Sequence, residues 1–307
     1  MKPSNTNLTK AKNDKNSEFY TQLSSIVNEV KHYKNHFVDK IVYCPCDKVF
    51  NQGINNFYDY FCCMYDSLGL KGVIYTQYNP KGNGFCKYYN KQSGNKEYKL
   101  VGNGSFDSDE CKIIMANSDI VVTNPPFSIF SEFVNQIMGF NKQFLIIGPE
   151  NAITYKDIFP NIMHNKIWLG YTSVTTFEVP FNGVLNKHQE YDDDTNKVYQ
   201  KFGNVCWYTN LVHNRRTEKI PMIKKYTNEL YQKYDNYDAI EVGGVRNIPS
   251  GYNGIMGVPI NFLTNYCPDQ FEIVGTIGAG GDFNVGKAII NGVEKYKRIL
   301  VKAKQEM

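Results

Sequence analysis

Asn124-Pro125-Pro126-Phe127 sets an amide, two residues without backbone N–H groups and an aromatic ring in four consecutive positions. Each proline removes a donor and pushes the residue before it into an extended conformation. The loop is therefore stiff. It aims the Asn124 side-chain oxygen and the Pro125 carbonyl in fixed directions, with the face of Phe127 beside them. Two fixed acceptors next to an aromatic plate suit an exocyclic amine on a flat ring. The lone pair of such a nitrogen is delocalised into the ring, so it attacks poorly. Acceptors holding both N–H bonds favour a tetrahedral nitrogen with a localised lone pair, and such preorganised dipoles need no general base before the attack. Stacking a base on Phe127 is worth roughly 1–3 kcal/mol. Flipping that base out of a duplex costs a few kcal/mol.

The elements around the tetrapeptide give it a position. Asp119-Ile120-Val121-Val122-Thr123 reads as a buried strand. Ile129, Phe130, Phe133, Val134, Ile137 and Met138 recur on one helical face, and Phe144–Ile147 is the next strand. The tetrapeptide thus lies at the carboxyl end of a strand, where open α/β sheets bind ligands. An earlier unit has the same plan: a strand at Lys40–Cys44, a helical face of Phe57, Tyr60, Phe61, Met64 and Leu68, and a strand from Lys71 to Tyr78 after Gly69. Residues 79–105 are loop-rich, with a hairpin whose arms are Phe85–Tyr89 and Glu97–Val101. Strands alternating with helices predict a mostly parallel sheet with helices on both faces. Beyond residue 166 the pattern shifts to short strands at Ile167–Leu169, Thr175–Val179 and Val205–Leu211, and Glu190–Asp194 reads as a solvated acidic turn.

Composition bounds the function. The 307 residues are 42% apolar and 21% charged, which is globular and too apolar for disorder. No run approaches the ~18–20 apolar residues that span a bilayer, and the first forty residues lack a secretory signal. The eight cysteines are expected to remain thiols. Net charge is +4, and all four arginines, Arg215, Arg216, Arg246 and Arg298, lie in the C-terminal third. Residues 1–213 hold 21 basic and 20 acidic groups, whereas 214–307 hold 13 and 10. That balance excludes a purely electrostatic nucleic-acid binder and leaves room for a local patch. Arg215 and Arg216, after the strand Val205–Leu211, and Arg246, in a Gly-rich loop, suit bidentate contacts with guanine edges or phosphates. Each also has an ordinary reading as a surface loop residue.

Two patterns are decoys. Gly281–Ala288 nearly fits a phosphate-binding loop, but Ala288 replaces the hydroxyl that would hold magnesium. The segment after it reads as a hairpin around Asn291-Gly292, not as the required helix. The cysteines and the scattered histidines lack metal-ligand spacing.

At Thr123–Phe127 the chain resembles the S-adenosylmethionine-dependent amino-methyltransferases, whose box is (Asn/Asp/Ser)-Pro-Pro-(Phe/Tyr/Trp). Further blocks resemble the EcoRI-type adenine-specific DNA methyltransferases: Ser17–Gln22, Val42–Asp47, Asn151–Lys156, Cys206–Leu211, Gly257–Ile260 and Pro268–Glu272. The resemblance implies an α/β, Rossmann-like S-adenosylmethionine-dependent methyltransferase sheet (1–213), with a C-terminal DNA target-recognition region (214–307). It implies methyl transfer from S-adenosylmethionine to N6 of a flipped adenine, with S-adenosylhomocysteine as product and no metal. Asn124, Pro125, Pro126 and Phe127 would form the catalytic box. Phe19, Tyr20 and Thr21 would wrap the methionine end of the cofactor, with Cys44, Cys46 and Asp47 in the loop after the first strand and Asn124 close by. Tyr78 would meet the ribose or adenine of the cofactor. Related enzymes carry an acid before the Phe that sandwiches the cofactor adenine; here Ser105 precedes Phe106, without a charge. Arg215, Arg216 and Arg246 would contact double-stranded DNA. The expected setting is a cytoplasmic monomer, off the membrane, with a cognate restriction endonuclease as a further partner. Rival readings are a methyltransferase of RNA adenine or protein glutamine, and a silent DNA-binding protein that kept the fold.

Overall fold

The computed structural model describes residues 20–47, 56–174, 176–179, 183–193, 196–278 and 283–305. Its chain divides into two compact units, one of residues up to Glu150 with Thr172–Leu211, the other of Asn151–Tyr171 with residues from Val212 onward. The segment Asn151–Tyr171 therefore belongs with the C-terminal unit, whereas a division at residue 213 alone assigns it to the catalytic one.

The first unit starts with β1 (Tyr20–Thr21) and α1 (Leu23–Val30). Then come β2 (Ile41–Pro45), α2 (Asn56–Cys63), β3 (Gly72–Gln77) and the hairpin β4 (Phe85–Asn90) and β5 (Gly94–Lys99). Next are α3 (Asp109–Asn117), β6 (Ile120–Thr123), α4 (Phe130–Gly139) and β7 (Gln143–Pro149). The helical face expected from Phe57 to Leu68 is broken at Met64 into α2 and a single turn, Tyr65–Leu68, closed by Gly69 in the left-handed conformation at φ 63°.

In the second unit lie α5 (Phe159–Met163) and the start of β8 (Trp168–Ser173), through which the chain returns to the first. There β9 (Thr176–Val179), β10 (Gln189–Asp192), β11 (Lys197–Lys201) and β12 (Val205–Thr209) follow.

Seven strands lying wholly in the first unit share a sheet in the order β5-β4-β3-β2-β6-β7-β12. The four in the middle, β3, β2, β6 and β7, are parallel; β4, β5 and β12 pair antiparallel. The sheet is mixed, less parallel than the βαβ pattern predicts, because a hairpin extends one side and β12 the other. Its central strands are buried along almost their whole length, as strands covered on both faces are. One face (Val42, Cys44, Ile120, Val122, Leu145, Ile147) shares a core with Ile26 and Val30 of α1 and Phe57 and Phe61 of α2. On the other, Phe130 of α4 meets Tyr208 of β12 with ring centroids 4.9 Å apart.

A second small sheet, β1-β9-β11-β10, ties the N-terminal strand to a much later part of the unit. Helix α1, directly after β1, is anchored by a buried carboxylate. Glu29 accepts from the Tyr33 hydroxyl at 2.7 Å and from the Thr172 N–H at 2.6 Å.

In the C-terminal unit, β13 (Ala239–Glu241), β14 (Ile255–Val258), β15 (Phe271–Ile277) and β18 (Arg298–Ala303) form a sheet in the order β13-β14-β18-β15. Between β15 and β18 sits the hairpin β16 (Ile289–Ile290) and β17 (Val293–Glu294). Asn291 and Gly292 at its turn have φ of 50° and 72°, as a tight two-residue hairpin demands. The near phosphate loop thus leads into a hairpin and no helix. Beyond it, residues 298–301 belong to the sheet's inner strand, β18.

Candidate active site

The chain leaves β2 for β3 on one side and returns after β5 to β6 on the other, so the order of the sheet reverses between β2 and β6. Crevices outside the carboxyl ends of strands at such a reversal are where α/β sheets bind ligands. The loops emerging there are Cys46-Asp47 after β2, Tyr78 after β3 and Asn124–Phe127 after β6. The Thr123 hydroxyl donates to the Pro45 carbonyl and joins the ends of the two strands.

Pro125 is buried, and Pro126 is exposed and extended at φ −56°, ψ 133°. A short 3-10 turn, Phe127–Ile129, leads into α4. Phe127 is half-buried, part of its ring lying against the core. Asn124 Nδ2 donates to Thr21 Oγ1 at 3.2 Å. Thr21 is in turn held from two sides: β1 pairs with β9 through Thr21 and Phe177, and the Thr21 carbonyl accepts from Asn56 Nδ2 at 2.7 Å. The N-terminal arm and the tetrapeptide are thus brought together. For Tyr20 only the backbone, paired with Glu178, is described, and Phe19 lies outside the described residues.

Cys44, expected in the loop after the first strand, lies within β2 and is fully buried in the core, where desolvation holds its thiol well above the usual range, so it stays neutral. Cys46 adopts a left-handed backbone at φ 59°. The Asp47 carboxylate accepts from the N–H groups of Phe57 at 3.1 Å and Tyr58 at 2.9 Å, capping the start of α2. A cap needs an acceptor and no charge. Asp47→Asn is therefore expected to unfold in urea at the wild-type midpoint, whereas Asp47→Ala loses about 1 kcal/mol. Equal losses in both variants would refute the capping role.

Tyr78 is 54% exposed at the end of β3 and lines an open cavity of ≈ 380 Å³ with Gln77, Asn79, Asn83 and Phe85. A neighbouring loop is pinned to this strand end by backbone contacts. Asn79 N donates to Asn103 O, and Gly84 N to Gly102 O, both at 2.8 Å. Gly104, at φ 75°, lies so close that a Cβ there would sit 2.4 Å from the Gln77 carbonyl oxygen. Beyond it, the Ser105 hydroxyl donates to the Asp107 carboxylate. Phe106 stands edge-on to Phe133, centroids 5.3 Å apart, and its carbonyl accepts from Gln136 Nε2 at 2.8 Å. A charge is therefore present in this loop. It comes after the phenylalanine instead of before it, and a search for acid-then-Phe passes over it.

The arginines, all in the second unit, divide. Arg216 is only 8% exposed; its Nη2 donates to Asn165 Oδ1 at 2.8 Å, and its guanidinium lies 4.5 Å from the ring centroid of Trp168 and 5.0 Å from that of Tyr266. These contacts make the Arg216 side chain, expected at the DNA, a packing element of its unit. Arg298 makes two hydrogen bonds to Glu241 Oε1, at 2.9 and 2.6 Å. Arg215 is half-buried, 4.3 Å above the ring of Tyr171. Arg246 is exposed, on a turn whose Asn247 carbonyl accepts from the Tyr231 hydroxyl at 2.8 Å. Among the described residues, no cluster of three or more His, Cys, Asp or Glu is placed to hold a metal ion, and no helix is long and apolar enough to cross a membrane.

Comparison with known proteins adds an independent observation. A family model described as adenine-specific methyltransferase EcoRI matches residues 7–305. Type II methyltransferase M.EcoRI of Escherichia coli is 41% identical over 97% of this chain and 96% of its own length. Type II methyltransferase M.MgeORF184P of Mycoplasma genitalium is 36% identical over 96% and 98%, respectively. Type II methyltransferase M.MpnI of Mycoplasma pneumoniae is 38% identical over 86% and 84%. No solved structure matches the chain.

Proposed function

Since the chain belongs to the adenine-specific EcoRI methyltransferase family, we propose that Asn124–Phe127 is its catalytic box, acting on N6 of a flipped adenine in double-stranded DNA. The observation that carries this reading is the position of the box, at the carboxyl end of β6 beside the reversal in strand order.

S-adenosylmethionine, when bound, supplies an electrophilic methyl group on a sulfonium. The residues present suit it. The cavity at the end of β3 falls within the ~300–1,000 Å³ typical of ligand pockets and offers the exposed ring of Tyr78 with asparagine side chains for an adenosine. Ser105, Asp107 and Phe106 would stand beside it, and the arm at Tyr20-Thr21 with the Cys46 turn would take the methionine end. On the acceptor side, Asn124 Oδ1 and the Pro125 carbonyl hold the two N6 protons, and Phe127 supports the ring. Most of the barrier reduction comes from orientation and from these fixed acceptors. One proton leaves to water after the attack.

The setting we infer is a monomer in the cytoplasm, working without a metal and alongside a cognate restriction endonuclease. Expression in methylation-free cells followed by single-molecule sequencing tests the reaction: one short motif carrying N6-methyladenine to completion is expected. Methylation of RNA or protein with none in DNA would overturn it. Absence of S-adenosylmethionine binding by calorimetry, with and without DNA, would favour a silent DNA-binding protein.

Arg246 is the guanidinium best exposed for base contact. Arg246→Ala should weaken specific binding by about 1–3 kcal/mol and relax discrimination at one position of the site. With a net charge of only +4, the salt slope should correspond to roughly three to five phosphates. Arg216→Ala should leave that slope unchanged. An unaltered binding profile for Arg246→Ala, or a shallower slope for Arg216→Ala, would reverse the assignment.

A further inference from the structure

We propose that Tyr171 is a positioning residue that holds the Arg215 guanidinium ready for a planar pair of acceptors on DNA, either O6 and N7 of a guanine or two oxygens of a phosphate. The inference rests on the reading that double-stranded DNA is the substrate. The Arg215 guanidinium lies over the Tyr171 ring, 4.3 Å from its centroid. A cation drawn to a ring face is restrained without an acceptor taking its protons. Among the described residues, no hydrogen-bond acceptor or carboxylate meets any of the five N–H donors of Arg215. The two other partly or fully buried guanidiniums differ, since Arg216 donates to Asn165 and Arg298 to Glu241. Arg215 alone is both held and unspoken for.

Both members of the pair are fixed from behind. Tyr171 meets His213 edge to face, with ring centroids 5.7 Å apart and planes at 79°. His213 is buried, and its Nε2 lies 3.0 Å from the Leu169 carbonyl oxygen. Arg215 sits in the middle of a 3-10 turn, Asn214–Arg216, whose backbone is closed twice. The Arg216 N–H donates to the His213 carbonyl at 3.0 Å and the Thr217 N–H to that of Asn214 at 2.9 Å. A free arginine side chain gives up much rotamer freedom on binding. One already restrained over a ring gives up less, and its planar fork matches a guanine edge or a phosphate. The ring therefore acts on DNA affinity through the arginine, without touching DNA itself.

The test measures Kd of the full chain for a duplex carrying the motif that methylome sequencing identifies. Arg215→Ala should weaken binding by about 5- to 150-fold, the range for one bidentate contact. Tyr171→Leu should cost about 2- to 10-fold, the scale of one side chain left to be ordered on binding. Tyr171→Met, also without a ring, should match it and guards against misfolding of a single variant. Tyr171→Phe keeps the ring face and should bind within about twofold of wild type. In an Arg215→Ala background, adding Tyr171→Leu should cost less than about twofold. Two further measurements on Arg215→Ala identify the acceptor. Insensitivity to 7-deazaguanine at one position, where wild type is sensitive, assigns a guanine edge. A salt slope shallower by about 0.9 assigns a phosphate. Unchanged affinity in Arg215→Ala, or equal losses for Tyr171→Leu in both backgrounds, would overturn this inference while leaving the DNA reading intact. A wild-type chain that binds no duplex would sink both.

Discussion

Asn124→Ala should lower the single-turnover rate of methyl transfer by at least about 10²–10³-fold, the loss seen when one preorganised polar partner of a reacting group is removed. Its affinities for cofactor and DNA should stay within a few-fold. The asymmetry follows from where the side chain sits. Asn124 lies past the end of β6, and its backbone is fixed by β6 before it and Pro125 after it. Removing the amide therefore leaves the loop in place while taking one of two acceptors from the amine. The nitrogen then stays planar and its lone pair stays in the ring. Rapid-quench turnover combined with cofactor titration separates rate from binding. A rate within about tenfold of wild type would mean that the Pro125 carbonyl, or another group, does the work assigned here to Asn124.

Gly148→Ala should be the most disruptive small substitution in the catalytic unit. Gly148 lies in β7, and a Cβ there would come within 2.2 Å of the Phe130 ring. That ring has no room to retreat: Phe130 is fully buried and packed 4.9 Å from Tyr208. Overpacking of this kind costs about 1–3 kcal/mol. The position also matters for chemistry. Phe130 begins α4, three residues after Phe127, so displacing it shifts the ring proposed to stack on the substrate. Chemical denaturation should show lost stability, and the turnover rate should fall with it. Phe130→Leu in the same chain makes space and should recover a good part of both. If the double variant is worse than either single one, the clash with Phe130 is not the cause.

The legible parts of the sequence were those with clear periodicity or stiff turn chemistry. The strand before the box, expected at 119–123, forms at Ile120–Thr123, and the next helix face becomes α4. Both are long apolar patterns, and the two prolines fix their junction. The hairpin around Asn291-Gly292 was readable because that dipeptide tolerates positive φ. The C-terminal sheet was not. In β15 the register shifts between Ile273 and Gly275, which breaks the alternation expected of a strand, and Gly257 leaves one position of β14 without a side chain. The fate of the arginines was hidden for another reason. Guanidiniums stack on aromatic rings as readily as they bind phosphate, and only the fold shows that Trp168 and Tyr266 lie beside Arg216. The pairing of Thr21 with Asn124 has no local signature, since it joins segments far apart in the chain.

The pairing of β1 with β9 also has a consequence for synthesis of the chain. Thr21 leaves the ribosome early, but its strand partner Phe177 is made about 155 residues later, roughly 8–30 s at ~5–20 residues per second. Asn124, the proposed catalytic amide, is translated in between. A nascent chain therefore carries its chemical box before the strand that fixes the arm beside it exists. Interrupted products ending before β9 should be methyltransferase-dead even when the box itself is complete, so the enzyme becomes competent late in its own translation.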